Sequence, residues 1–201
     1  MNTIPHSIRT LIATTSTLAL ATALSLSSAL AETTAAGDYK IDPAHTSVTF
    51  VINHLGISQL AGRFNKVEGK ITIGAGSDAS VSVEIDTASV DTNHKKRDDH
   101  LRSPDFFNAR QFPEIKFTAD HIQLGDDGPT RIEGKLTLHG KTRTVTLAVE
   151  PVGAGKDPWG GYRAGYIATT TIKRSDYGMN FMPGGIGDKV AVTLNIEAIK
   201  Q

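Results

Sequence analysis

From about residue 38 onward, apolar and polar residues alternate along most of the chain. Val48, Phe50 and Ile52 are separated by Thr49, Val51 and Asn53. Val81, Val83 and Ile85 are separated by Ser82 and Glu84. Ile132, Leu136 and Leu138 share one parity, with Glu133, Lys135, Thr137 and His139 on the other. Val145, Leu147 and Val149 alternate with Thr144, Thr146 and Ala148, and Val190, Val192, Leu194 and Ile196 with Ala191, Thr193, Asn195 and Glu197. A period of two with many β-branched residues predicts strands that bury one face. Turn signals separate the runs: Asp42-Pro43, Gly74-Ala75-Gly76, Gly125 to Pro129, His139-Gly140-Lys141, Gly153 to Gly161 and Pro183 to Gly187. His139-Gly140 sits so close between two runs that it predicts a tight hairpin. Eight or nine strand candidates in about 160 residues predict an antiparallel sandwich or barrel. A closed barrel has the advantage of removing exposed edges.

One stretch breaks the pattern. Thr92 to Asn108 reads TNHKKRDDHLRSPDFFN, polar and without alternation. It predicts a short helical segment around residues 93–107, with Thr92 or Asn93 as its cap and Asp98 paired with Arg102 at i,i+4. Pro104 breaks or restarts the helix. Arg97, Asp98, Asp99 and Arg102 are expected to lock this segment onto the rim of the barrel. Reception of an anionic headgroup by Lys95, Lys96, Arg97 and Arg102 is the competing reading.

The face expected to point inward mixes large residues (Phe50, Phe64, Phe117, Tyr166) with small ones (Gly62, Gly69, Ala119, Gly134, Ala164, Ala168). The small ones either fit the taper and bulges of a filled barrel or leave a channel along its axis. The alternation alone does not choose between the two.

The first residues follow a different rule. Residues 1–10 carry Arg9 and no acid; residues 11–31 carry no charge, contain Leu18-Ala19-Leu20-Ala21 and end in Ala29-Leu30-Ala31 before Glu32. This predicts a secretory signal peptide over residues 1–31, cut after Ala31, and a mature domain over 32–201 in the periplasm. A membrane anchor is the alternative, but many Ser and Thr residues dilute the stretch. The absence of cysteine from the chain rules out a lipoprotein anchor, disulfides and thiol catalysis. Without Arg9 the remaining chain has 20 basic and 21 acidic side chains, net −1. That balance argues against nucleic acid and anionic membrane surfaces as main partners.

Catalytic patterns are weak. His94, Asp98 and His100 lie close in sequence, but a helix puts only 94 and 98 on one face, and no second cluster with zinc spacing accompanies them. No Gly-x-Ser-x-Gly elbow is present, and the glycine-rich stretches at 153–161 and 183–187 match neither phosphate-loop pattern. No catalytic residue, metal site or cofactor is therefore expected. An enzyme of unknown reaction using His94, Asp98 and His100 is the runner-up, and a ligand-free structural or stress-related protein the third reading.

Longer motifs carry a resemblance. Ser89 to Phe117 (SVDTNHKKRDDHLRSPDFFNARQFPEIKF) closely resembles the signature region of the YceI-like family, the polyisoprenoid-binding periplasmic proteins. The resemblance extends over YKIDPAHTSVTFVINHLGIS (Tyr39–Ser58), LAGRFNKVEGKI (Leu60–Ile71), GKLTLHGKTRTVTL (Gly134–Leu147), DPWGGYRAGY (Asp157–Tyr166) and TTIKRSDYGMNF (Thr170–Phe181). Departures are confined to loops such as Gly178 to Gly187. The resemblance implies an all-β fold: an extended, eight-stranded antiparallel barrel, lipocalin-like, with a helical segment at one end. It implies a long-chain lipid (a polyprenyl compound, a quinone or a similar amphiphile) inside an apolar tunnel, and no enzymatic activity. Members are often dimeric, so a homodimer is an open expectation; stable membrane insertion is not expected. By register, the lining residues would be Phe50, Ile52, Leu60, Phe64, Val83, Ile85, Phe117, Leu136, Leu138, Leu147, Tyr166, Ile172, Val192 and Leu194. Phe106 or Phe107 would close the mouth.

Overall fold

The alternating runs become strands, and they join into one sheet. In the computed structural model, which describes residues 34–74, 79–120, 122–125 and 128–201, the strands are β1 (Gly37–Ile41), β2 (Ser47–His54), β3 (Ser58–Phe64), β4 (Val67–Ile73), β5 (Ala79–Asp86), β6 (Val90–Asp91), β7 (Glu114–Asp120), β8 (Gln123–Gly125), β9 (Gly128–Leu138), β10 (Lys141–Lys156), β11 (Tyr162–Lys173) and β12 (Ile186–Lys200). The leader expected over residues 1–31 lies outside the described residues, as do parts of the turns expected at Gly74–Gly76 and Gly125–Pro129.

Twelve strands make eight staves. β1 and β2 are two halves of one interrupted stave, as are β3 and β4, β5 and β6, and β7 and β8. β3 pairs with β6 while β4 pairs with β5, and β7 and β8 both pair with β9, with a register shift between Gln123 and Leu124. The staves follow one another antiparallel in chain order, and the last returns to the first. β12 pairs with β11 on one side, from Arg163↔Ile199 to Lys173↔Lys189. On its other side it pairs with β2, from Ile186↔His54 to Asn195↔Ser47, and with β1 at Tyr39↔Lys200 to Ile41↔Ala198. The result is a closed antiparallel barrel with no free sheet edge along its seam.

The seam crosses the break between β1 and β2, and side chains complete it. Thr46 Oγ1 donates to the Glu197 carbonyl at 3.3 Å and accepts from the Glu197 N–H at 3.2 Å. The Asp42 N–H also reaches the Glu197 carbonyl, at 2.8 Å. Outside the seam, Arg163 on β11 donates to the carboxylates of Asp42, Asp157 and Glu197. His45 adds a 2.8 Å contact to Asp42. Asp42, His45 and Glu197 stand close enough to hold a cation, but the Arg163 guanidinium already supplies positive charge there.

The hairpin at His139-Gly140 has the expected form. Both residues take positive φ, 50° and 71°, which is the primed turn that matches strand twist. His139 Nδ1 bonds the Tyr177 carbonyl at 2.9 Å. Its ring packs on Phe112 at 4.8 Å between centroids, tying the hairpin to the neighbouring loops.

The polar excursion forms one short helix, α1 (Lys95–Leu101), followed by turns. Its cap is not Thr92 or Asn93. Asn93 sits at φ 60°, and a cap needs extended backbone. His94 supplies that backbone, at φ −153°, and its Nδ1 accepts from Arg97 N at 3.3 Å. The expected Asp98–Arg102 pair is also replaced. Asp98 is buried and accepts from Thr92 N at 2.8 Å and Thr92 Oγ1 at 2.5 Å. Arg102 pairs instead with Asp99 at 3.2 Å. The lock onto the rim is real but uses backbone: Arg102 donates to the Ala88 and Val90 carbonyls, both at 2.7 Å. Arg97 holds Thr92 through Oγ1 and the carbonyl, also at 2.7 Å.

Two outcomes follow. Arg102→Met leaves two carbonyls at the start of the excursion without their donors, so unfolding in denaturant should show a loss of about 1–3 kcal/mol. At the seam, the His45 hydrogen bond, then the Arg163 bond, pulls the Asp42 carboxyl from 3.8 down to about 2. A lowered folded-state value adds stability above the unfolded pKa, and that stability is lost as pH falls through the folded one. The thermal midpoint should therefore fall as pH is lowered from about 4 to about 2. Asp42→Asn should lower stability at pH 6 and flatten that part of the profile.

Candidate functional site

The inward faces of the staves do not meet. They enclose a cavity of about 830 Å³, towards the upper end of the roughly 300–1,000 Å³ typical of small-molecule sites. The wall is built by parity: Ala79, Val81, Val83 and Ile85 from β5, Tyr166, Ala168, Thr170 and Ile172 from β11, and Ile186, Val190, Val192, Leu194 and Ile196 from β12. Along β12 alone the lining runs from Ile186 to Ile196, roughly 33 Å at ~3.3 Å per residue. With the usual barrel tilt of about 40°, this gives a tunnel on the order of 25 Å long. The site is an elongated apolar tube rather than a round pocket.

Glycine decides why the interior is open although it holds so many aromatic residues. Gly62 faces Phe50 directly across the β2–β3 pairing. A Cβ on Gly62 would stand 2.3 Å from Phe50 Cζ, so the ring occupies the space that a side chain would take. Gly134 on β9 receives the Phe117 ring in the same way, with Cζ at 2.4 Å from an added Cβ. Both rings lie against the wall instead of across the axis. Gly69 has another role: an added Cβ would meet the Ser82 carbonyl and Ile41 Cδ1, so it allows a close approach of neighbouring strands.

The two ends differ. Tyr166, Pro129, Ile122 and Ile73 line the end near Thr34, and all four are buried. The Tyr166 hydroxyl bonds Thr34 Oγ1 at 2.8 Å, and burial pushes its pKa up. At the opposite end the lining residues His54, Ser58, Gln59, His100, Phe181 and Met182 are exposed. The mouth therefore lies between the β2–β3 turn, the α1 excursion and the loop before β12. Polar groups gather there. Arg174, only 5 % exposed, donates to the Met179, Ile186 and Gly187 carbonyls and pins that loop to the barrel.

All sixteen residues proposed from the sequence stand on the wall of this one cavity. Phe106 and Phe107 separate in role. Phe106 is buried and stacks on His100 and Phe181 beside the mouth, at 5.0 and 5.2 Å. Phe107 packs edge-on against Phe64 at 5.5 Å, continuing a contact between Phe64 and Phe50 at 5.7 Å. Sequence reasoning missed Met179, Phe181, Met182 and Ile186. Their signal was apolar side chains inside a run of glycines, proline and polar residues, where no period marks an inward face.

The His94, Asp98 and His100 grouping does not converge. His94 caps the helix and Asp98 is consumed by Thr92. His100 Nε2 meets Asp105 Oδ2 at 2.8 Å, with its ring between Phe106 and Phe181. No helix among the described residues is long and apolar enough to cross a membrane.

Fold and cavity define the class: a closed antiparallel β-barrel holding an apolar tunnel open at one end. Family comparison agrees with it. The YceI-like domain matches residues 39–198, and the chain belongs to that family. A UPF0312 protein of Shewanella denitrificans is 43 % identical over 186 residues, 90 % of this chain and 97 % of that one. A second UPF0312 protein, from Vibrio vulnificus, is 42 % identical over the same length. The crystal structure of the Campylobacter jejuni YceI protein is similar with a TM-score of 0.66 at 28 % identity, over 74 % of this chain and 90 % of that one. A polyisoprenoid binding domain from Saccharophagus degradans, implicated in plant cell wall breakdown, shares the fold at 18 % identity. Its TM-score is 0.61, over 81 % of this chain and 98 % of that domain.

If the glycine–ring contacts keep the tunnel open, Gly62→Ala must swing Phe50 into the lumen. The variant should fold with a loss of about 1–3 kcal/mol from overpacking. A crystal structure should show the tunnel narrowed at Phe50. An unchanged lumen would mean that the glycine is not what opens it.

Proposed function

We propose that the barrel binds one long apolar lipid of isoprenoid type along its axis and serves as a carrier or store in the periplasm, not as an enzyme. One observation carries this reading: the cavity is a tube lined almost wholly by aliphatic and aromatic side chains, and among the described residues its exposed lining lies at the end where the polar groups collect. A chain-like apolar ligand matches that shape and that wall. Burial is worth roughly 0.8 kcal/mol per CH₂, so a dozen carbons supply on the order of 10 kcal/mol before ordering costs. No charged anchor inside the tube is needed for tight binding; a headgroup at the mouth sets orientation. The family resemblance and the name of the Saccharophagus degradans domain support an isoprenoid over other chains. The leader expected from the sequence of residues 1–31 supports a periplasmic setting.

Catalysis lacks support, because the candidate polar residues are engaged in capping and locking contacts. The exported protein, purified gently and measured by native mass spectrometry, should carry a stoichiometric long-chain lipid that organic extraction releases. Leu136→Glu, which puts a carboxylate on the tunnel wall opposite Phe117, should abolish that adduct. A clean apo mass in the parent protein, unchanged after incubation with polyprenyl lipids, would sink the proposal.

A further inference from the structure

Four large apolar side chains project into solvent around the mouth: Ile57 is 84 % exposed, Leu55 and Met182 are each 47 % exposed, and Phe181 is 37 % exposed. They come from two loops that are joined. The Leu55 N–H donates to the Gly185 carbonyl at 2.8 Å, and His54 pairs with Ile186. Phe181 and Met182 line the cavity and are also exposed, so part of the apolar lining extends to the outer surface.

The backbone displays two of these residues at a cost. Leu55 takes φ 57° and Met182 φ 50°. Glycine and asparagine adopt this left-handed region readily, and larger side chains do so with strain. Three other non-glycine residues are in that region, and two of them are Asn93 and Asn108. Folding alone gives no reason to place Leu and Met there and then turn them towards water. Strained, exposed apolar residues at the entrance of a binding site point to function.

We propose that this rim is a bilayer-docking surface. Leu55, Ile57, Phe181 and Met182 enter the boundary between headgroups and acyl chains, so that lipid passes between membrane and tunnel without crossing water. The proposal rests on the lipid reading of the cavity. Charge around the rim favours a membrane as the occupant. Lys96, Lys173 and Lys189 are exposed at this end, the last two opposed in register on β11 and β12. Most of the acids there are engaged by the protein itself: Asp99 by Lys95 and Arg102, Asp105 by His100, and Asp188 by the Ser175 N–H and hydroxyl with Arg174 and Lys173 facing it. Asp176 is the exception. Lys96 and Lys189 beside an apolar tip suit lipid phosphates. Few residues are involved, so the docking is reversible and inserts nothing across the bilayer.

The test uses the full chain and its variant L55N/I57S, which leaves every residue of the tunnel wall in place. Asparagine tolerates the left-handed backbone, so the thermal midpoint should not fall. Both proteins are loaded with a polyprenyl lipid from detergent, and occupancy is read by native mass spectrometry. They are then floated with vesicles of phosphatidylethanolamine and phosphatidylglycerol. Equal occupancy is expected, with vesicle binding reduced about tenfold or more in the variant and lipid transfer slowed with it. Equal flotation of the two proteins would overturn the proposal, as would a parent protein that never floats. A parent dimer that the variant dissolves, without vesicle binding, would overturn it in favour of a second copy on the rim. If neither protein takes up lipid but only the parent floats, the tunnel reading fails and the docking surface stands.

Discussion

Closure of the sheet is the constraint on which everything else in this barrel depends. An open sheet with one apolar face needs a partner layer to cover it. Here β12 pairs with β11 on one side and with β1 and β2 on the other, so the sheet becomes its own partner. The ladder is interrupted along this seam. At the break between β1 and β2, Thr46 and Asp42 take over the bonds to Glu197 that a continuous strand would have made. The Arg163 cluster then holds the three segments together from outside. A barrel closed by backbone pairing has no need of disulfides, which fits a chain without cysteine.

Closure also creates the site. Eight staves leave an interior that side chains can fill, and filling is the default for a stable core. In this chain the large rings of Phe50 and Phe117 are drawn onto the wall by Gly62 and Gly134. The same residues thus serve packing and function. Their rings cover the sheet and keep water from its backbone, while the axis stays clear. Small residues such as Ala164 and Ala168 add to this on β11. The apolar surface left facing the lumen costs free energy in water, and a long apolar ligand would recover it.

Much of this could be read from the residues, and the reason is one-sided burial. Wherever a strand buries one face, parity names the inward set, so residues such as Val192, Leu194 and Tyr166 were assignable without coordinates. The positive-φ turn at His139-Gly140 was legible for the same local reason. What failed depended on contacts made at a distance. Nothing in the order of Thr92, Asn93 and His94 reveals that Thr92 is buried on Asp98 and Arg97, leaving His94 to cap. The channel question stayed open because a glycine on an inward face reads equally as taper or as a seat for a ring. The loop from Gly178 to Gly187 has no period at all, so its contribution to the mouth was invisible, although Phe181 and Met182 sit there.

The central claim is that the lumen is a lipid tunnel with its polar end at the helical side. A crystal structure of the protein, purified without detergent, addresses this directly. The account predicts continuous rod-shaped density from Tyr166 to Phe181, with its polar end between the β2–β3 turn and the loop before β12. An empty or water-filled lumen, or lipid held only on the outer surface, would contradict it.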